Sequence, residues 1–118
     1  QGPMSVASGV SLRINANVAG LGPQFKIKLN VQNTGTSSMW DVPVTFSYNH
    51  ELYRLGTSLL MIPLLIPGQR YVYEVPVQCI DEAGGADVVK VFVCSPTSSV
   101  PVISAFVTMP ISEALATE

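Results

Sequence analysis

Val10-Ser11-Leu12-Arg13-Ile14-Asn15-Ala16-Asn17-Val18 alternates without a break: every even-numbered residue is apolar and every odd-numbered one polar. A period of two places alternate side chains on opposite faces, so this is a strand with one wet face and one dry face. Gly20-Leu21-Gly22-Pro23 supplies turn chemistry. Gln24-Phe25-Lys26-Ile27-Lys28-Leu29-Asn30-Val31-Gln32 then alternates again, with both lysines on the outer phase. Working outward, a third strand is expected from about Asp41 to Tyr48, with Val42, Val44, Phe46 and Tyr48 on one face and Trp40 before it. Leu59-Leu60-Met61-Ile62 reads as a short strand ended by Pro63. Tyr71 to Cys79 is a longer one, in which Pro76 marks an edge or a bulge. Val88–Cys94 and Val102–Met109 complete the set. Asn33–Ser38 reads as a polar loop, Asn49–Gly56 as irregular, Asp81–Asp87 as a Gly-rich acidic hairpin loop and Ser95–Pro101 as a link.

These segments predict about seven antiparallel strands and no helix beyond one turn within Ile111–Glu118. Many short alternating strands separated by Gly and Pro mean an all-β sandwich, and this number best fits an immunoglobulin-like one. The phase predicts a core of Leu12, Ile14, Phe25, Ile27, Leu29, Val31, Val44, Phe46, Tyr73, Val75, Val77, Val89, Val91, Ile103, Ala105 and Val107. Gln1-Gly2-Pro3-Met4 resembles the scar of a protease-cleavage site followed by a cloning methionine, which leaves residues 5–118 as a single domain.

Composition narrows the function. The chain has 118 residues, 47 % of them apolar types, and a mean hydropathy of +0.38. Charged residues are 12 %, about half the usual ~25 %. A domain this poor in charge is expected to present part of its apolar surface to another protein. Six Lys and Arg against eight Asp and Glu give a net charge of −2, unlike the basic footprint of a nucleic-acid binder. The longest apolar run, Leu59 to Ile66, has eight residues and contains Pro63, too short for a membrane-spanning helix.

Little in the sequence points to catalysis, a cofactor or a metal. His50 is the sole histidine and lies in a loop beside Glu51 without a second ligand cluster. Cys79 and Cys94 have no neighbouring base to lower their pKa and read as buried structural thiols. If they flank a hairpin at Gly84-Gly85 they are offset along it, which favours free thiols over a bridge. Ser104 and the Ser98-Ser99 pair lack a nucleophile-elbow motif. Asp81, Glu82 and Asp87 lack the ligand spacing of a calcium loop.

Two features point instead to interaction. With Val89, Val91 and Val93 inward, Val88, Phe92 and Cys94 point outward beside Lys90. With Ile103, Ala105 and Val107 inward, Val102 and Phe106 point outward on a neighbouring strand. The two phenylalanines then form either an apolar docking patch or a surface covered by another part of the chain. The second feature is Leu64-Leu65-Ile66, where Leu64 and Leu65 have two readings, core burial and contact with a partner.

The Pro67-Gly68 turn and the order of strands resemble the ear domains of clathrin adaptors. Four blocks carry a closer likeness. They are Gly20–Ile27 with Leu29–Thr34, Tyr48–Tyr53, Pro63–Gly68, and Ser104–Glu113. Over residues 12 to 116 the chain resembles the C-terminal gamma-adaptin-ear-like domain of the Bardet–Biedl syndrome 1 family of BBSome subunits. The resemblance implies a non-catalytic assembly module within a coat-like complex that carries membrane proteins to and from cilia. It implies other BBSome subunits as partners, and residence in the cytoplasm, basal body and cilium, with the ciliary membrane reached only through the complex. In that family the domain follows a propeller, which is associated with an Arf-like small GTPase, and a helical segment. Two alternatives are an ear-type domain recruiting short peptide motifs of accessory proteins and a secreted immunoglobulin-like binding domain bridged by Cys79 and Cys94. For the first, Lys26, Lys28, Arg54, Arg70 and Lys90 lie on separate segments, and no peptide pocket maps onto them.

Overall fold

The two long alternating segments pair with each other. In the computed structural model, which describes residues 4–6, 11–97 and 100–113, β2 (Leu12–Ala19) and β3 (Gln24–Asn33) run antiparallel, with Ile14 opposite Val31 and Ala16 opposite Leu29. The other strands are β1 (Met4–Val6), β4 (Met39–Ser47), β5 (Tyr53–Leu55), β6 (Leu59–Leu65), β7 (Arg70–Cys79), β8 (Val88–Cys94) and β9 (Pro101–Thr108). They form a five-stranded sheet in the order β1-β2-β3-β7-β5 and a four-stranded sheet in the order β6-β4-β8-β9. All strand pairs are antiparallel, and no helix occurs among the described residues.

The architecture is the expected all-β sandwich, with two strands more than the seven read from the sequence. Both additions, β1 and β5, have three residues, too few to display a period. Met4, set aside above with the leading residues, stands opposite Asn15 in β1. Residues 1–3, 7–10, 98, 99 and 114–118, which include Val10 of the first expected strand, the Ser98-Ser99 pair and most of the expected C-terminal turn, lie outside the described residues.

Alternation builds the core between the sheets. Leu12, Ile14, Phe25, Ile27, Leu29, Val31, Val75 and Val77 from one sheet face Val42, Val44, Phe46, Ile62, Leu65, Val89, Val91, Val93, Ile103, Ala105 and Val107 from the other, all buried. Full burial of each large member stabilises by about 1.5–3 kcal/mol. Tyr73, expected in the core, is only half-buried at its margin.

Four expectations need correction. Pro63 does not end its strand: β6 continues to Leu65, because it is an edge strand and tolerates a residue without an N–H. Pro76 lies in β7, between β3 and β5, but its carbonyl accepts the Gly56 N–H just beyond the end of β5. Its ring nitrogen therefore faces the side where β5 has already stopped. The Asp81–Asp87 segment is no hairpin loop, because β7 and β8 belong to different sheets. Cys94, expected on the outer phase, is buried beside a register shift between Val93 and Cys94 that interrupts the alternation, without joining the core cluster between the sheets. Cys79 and Cys94 are both free thiols, one in each sheet.

The crossing segment and the β2–β3 turn hold residues 112 and 113. Gly85 N–H donates to Asp81 Oδ2 at 2.8 Å, and Ser112 N–H donates to the Gly84 carbonyl at 3.1 Å. Glu113 N–H donates to the Leu21 carbonyl at 2.8 Å. Gly84 has φ +72°, and a Cβ there would stand 2.6 Å from the Ser112 carbonyl oxygen. Gly84→Ala should therefore cost about 1–3 kcal/mol, read as a lower urea midpoint. A loss below about 0.5 kcal/mol would mean that the segment around Ser112 yields freely.

Tyr53, the first residue of β5, is buried, and its hydroxyl accepts the Asp87 N–H at 3.0 Å. Burial pushes its phenol above the ordinary value of 10.0. The folded state thus holds this proton more tightly than the unfolded chain does. That stabilisation is complete below about pH 10 and is lost as pH rises through the raised folded value. The melting temperature should fall on this alkaline limb, and Tyr53→Phe should make the fall shallower. Tyr73, also raised by burial, keeps a remainder. A variant whose alkaline slope equals that of the parent chain would refute the assignment.

Candidate docking face

The outer faces of the two sheets differ in chemistry. On the five-stranded sheet the outward positions read Arg13, Asn15 and Asn17 on β2, and Gln24, Lys26, Lys28, Asn30 and Gln32 on β3. Arg70, Val72, Glu74, Pro76 and Gln78 follow on β7, and Arg54 on β5. On the four-stranded sheet the outward side chains are largely apolar.

Pairing places those apolar groups side by side. Leu59 stands opposite Thr45, Thr45 opposite Phe92, and Phe92 opposite Ser104. One rung along, Ser47 stands opposite Lys90 and Lys90 opposite Phe106. Toward the other end, Pro43 stands opposite Met61 and Trp40 opposite Leu64. Trp40 is 62 % exposed, Leu59 53 %, Met61 49 % and Phe106 46 %, values high enough that a partner could bury most of each ring or chain. Lys90 is the only Lys or Arg on this face, and its Nζ lies 5.9 Å from the Phe106 ring centroid, within cation–π range.

The residues singled out from sequence divide accordingly. Phe106 is exposed on the face, while Phe92, Val88 and Leu64 are half-buried on it. Val102 is half-buried and packs against the core. Leu65 faces no partner: it is fully buried, opposite Met39 in the interior. Trp40, Met61 and Leu59 are the large groups that the sequence reading missed. Leu59 and Met61 were accessible to it, since they alternate with the inward Leu60 and Ile62. Trp40 was not. It lies two residues from buried Val42 and would share its face in a regular strand. Asp41 between them has φ +53°, and this left-handed residue reverses the alternation and turns the indole outward.

His50 stacks on Tyr48 with ring centroids 4.2 Å apart, in the turn after β4. The cations that looked scattered are gathered by topology. Lys26, Lys28, Arg54 and Arg70 join Arg13 on the outer face of the five-stranded sheet, and Lys90 alone lies opposite.

Comparison with known proteins adds family context. A family model described as "Bardet-Biedl syndrome 1 protein, GAE domain" matches residues 12–116. Two curated relatives, from Mus musculus and Homo sapiens, are each named "BBSome complex member BBS1". Each is 41 % identical to the chain over 115 residues, covering 97 % of this chain and 19 % of the relative. The chain thus spans about one fifth of the length of these relatives.

Proposed function

The chain belongs to the Bardet-Biedl syndrome 1 GAE-domain family, and from that premise we propose that it is a non-catalytic assembly module of a BBSome, packing on another subunit through the outer face of its four-stranded sheet. The observation that carries this reading is the row of exposed Trp40, Leu59, Met61 and Phe106 on a single face. Leaving such a patch in water forgoes about 25 cal/mol for each Å² that a neighbour would cover. The face is also poor in charge, as the centres of stable interfaces are.

Through that assembly the module serves a complex that traffics membrane proteins to and from cilia, and it meets the membrane indirectly. The contact of the complex with a small GTPase falls to other parts of the parent protein. The secreted alternative rested on a Cys79–Cys94 bridge, and both thiols are free.

Hydrogen exchange on the parent protein, alone and in its complex, tests the reading. In the complex, protection should rise over 40–43, 59–64, 88–92 and 102–106 and stay level over 13–17 and 24–32. Protection gained on the five-stranded sheet alone would overturn it.

A further inference from the structure

The four-stranded sheet has an open edge as well as a flat apolar face. β6 is its outermost strand and, among the described residues, pairs with β4 alone. Its seven residues, Leu59-Leu60-Met61-Ile62-Pro63-Leu64-Leu65, carry no charge. Such edges are normally blunted by lysine, a bulge or a covering segment, because their unpaired backbone groups accept another strand. Here only Pro63 interrupts the row.

The backbone groups at this edge can be assigned one by one. Phe46 N–H donates to the Ser58 carbonyl at 3.2 Å, and the pairing continues in step, with Val44 opposite Leu60 and Val42 opposite Ile62. Bonded and non-bonded rungs alternate in an antiparallel pair. Ser58, Leu60 and Ile62 therefore turn their N–H and carbonyl groups to β4, while Leu59, Met61 and Pro63 turn theirs to the open edge. Two of those outward positions are already closed. Pro63 has no N–H, and the Leu59 carbonyl accepts the Thr57 hydroxyl at 2.7 Å. The Leu59 N–H, the Met61 N–H and carbonyl, and the Pro63 carbonyl remain.

This set is complementary to itself. In a second β6 laid antiparallel with the two Met61 residues opposite each other, those residues exchange a pair of N–H···O bonds. Each Leu59 N–H then meets the Pro63 carbonyl of the second copy. The donor that Pro63 lacks falls opposite the Leu59 carbonyl, which needs none. A slip of two residues one way sets Pro63 against a Met61 carbonyl left without a donor. A slip the other way sets the Met61 N–H against the occupied Leu59 carbonyl. On the core side of the joined sheet, half-buried Leu60 gains Ile62 of the second copy as its neighbour.

We infer that β6 is a self-association edge: two copies of this chain pair through it about a two-fold axis at Met61, joining their four-stranded sheets into one. The occupant is a second copy because the two closed positions of this strand cancel only against each other. The contact uses the same patch on both copies, so it closes at a dimer. It lies in the plane of the sheet and leaves the flat faces open. Subunit packing through the apolar face neither requires it nor excludes it.

Sedimentation equilibrium should show monomer and dimer in exchange, without larger species. A chain still monomeric at about 1 mM overturns the inference. Met61→Lys sets two ammonium groups face to face at the axis and should weaken the dimer about fivefold, as should Met61→Glu with two carboxylates. An equimolar mixture of the two variants should recover it. The melting temperature of the monomer should hold in both, since the Met61 side chain is exposed. Register is read by cross-linking under mild oxidation. Met61→Cys should form a disulfide between copies, because facing residues in a bonded rung lie about 5.5 Å apart at Cα. Leu59→Cys should not, because positions 59 of the two copies lie about 14 Å apart. Equal cross-linking of the two cysteine variants, or a Lys and Glu mixture that stays apart, overturns the pairing. So does loss of the dimer in Phe106→Ser, which would move the contact to the flat face.

Discussion

Asn33→Leu should lower the melting temperature by about 15 °C, corresponding to a loss of about 4 kcal/mol at about 4 °C per kcal/mol for a domain of this size. Asn33 ends β3 and is fully buried. Its Nδ2 donates to the Ser37 carbonyl at 2.8 Å and to the Leu65 carbonyl at 2.9 Å, and its Oδ1 accepts the Gly35 N–H at 2.9 Å. One amide thus joins β3 of one sheet, the turn that leaves it and β6 of the other sheet. Leucine fills a similar volume but strands two acceptors and one donor. Each stranded group costs about 1–3 kcal/mol, less where water can reach it. Asn33→Asp should be at least as damaging near neutral pH, because a carboxylate would face two carbonyls with no proton to give. Acidification should restore part of its stability, since the protonated acid regains one donor. Urea titration of both variants provides the check. A change under about 1 kcal/mol in either would show that the turn rehydrates and that the link between sheets is dispensable.

Asn33 also marks where a sequence reading stops. It begins a polar run, Asn33-Thr34-Gly35-Thr36-Ser37-Ser38, and polarity alone assigns it to a loop. Its value comes from carbonyls 4 and 32 residues away, which no local pattern displays. The strands β2, β3, β7, β8 and β9 were legible because each runs long enough for period-two burial to appear as period-two hydropathy. β5 was not, since three residues carry no period and Tyr53 is buried through its pairing with β7. The burial of Cys94 and the outward turn of Trp40 both occur beside a local break in a strand, a register shift in one case and a left-handed residue in the other, and such breaks leave no trace in composition. The cations show the converse. They lie on four strands in sequence, and strand order alone brings them to one surface.

The two outer faces separate two kinds of substitution. On the polar face, single changes should leave the proposed assembly alone, because exposed charges are screened by water and ions. In the proposed assembly the energy on the apolar face is concentrated in a few large side chains, and those should govern whether the subunit is retained.

Trp40→Ser and Phe106→Ser, made in the parent protein, should each weaken its association with the remaining subunits about 30-fold. That corresponds to the roughly 2 kcal/mol lost when a central aromatic anchor is truncated. The pair together should reach several hundred-fold or more, short of strict additivity if both seat in one pocket of the neighbour. Stability should barely move, within about 0.5 kcal/mol, because both rings are about half or more exposed in the free domain. This contrast makes the test informative: a core substitution would lose assembly by unfolding, whereas these would lose it with the melting curve intact. Trp40 is the stronger of the two tests. The left-handed residue at Asp41 holds its indole out in water, where it contributes little to the fold, so a loss of binding there belongs to the interface. Quantitative pull-down of the purified parent chain with the other subunits, with Arg54→Gln as the control on the polar face, gives the measurement. Retention of both serine variants at the level of the unmodified chain would show that the apolar face stays uncovered in the complex and that the module is held by some other surface.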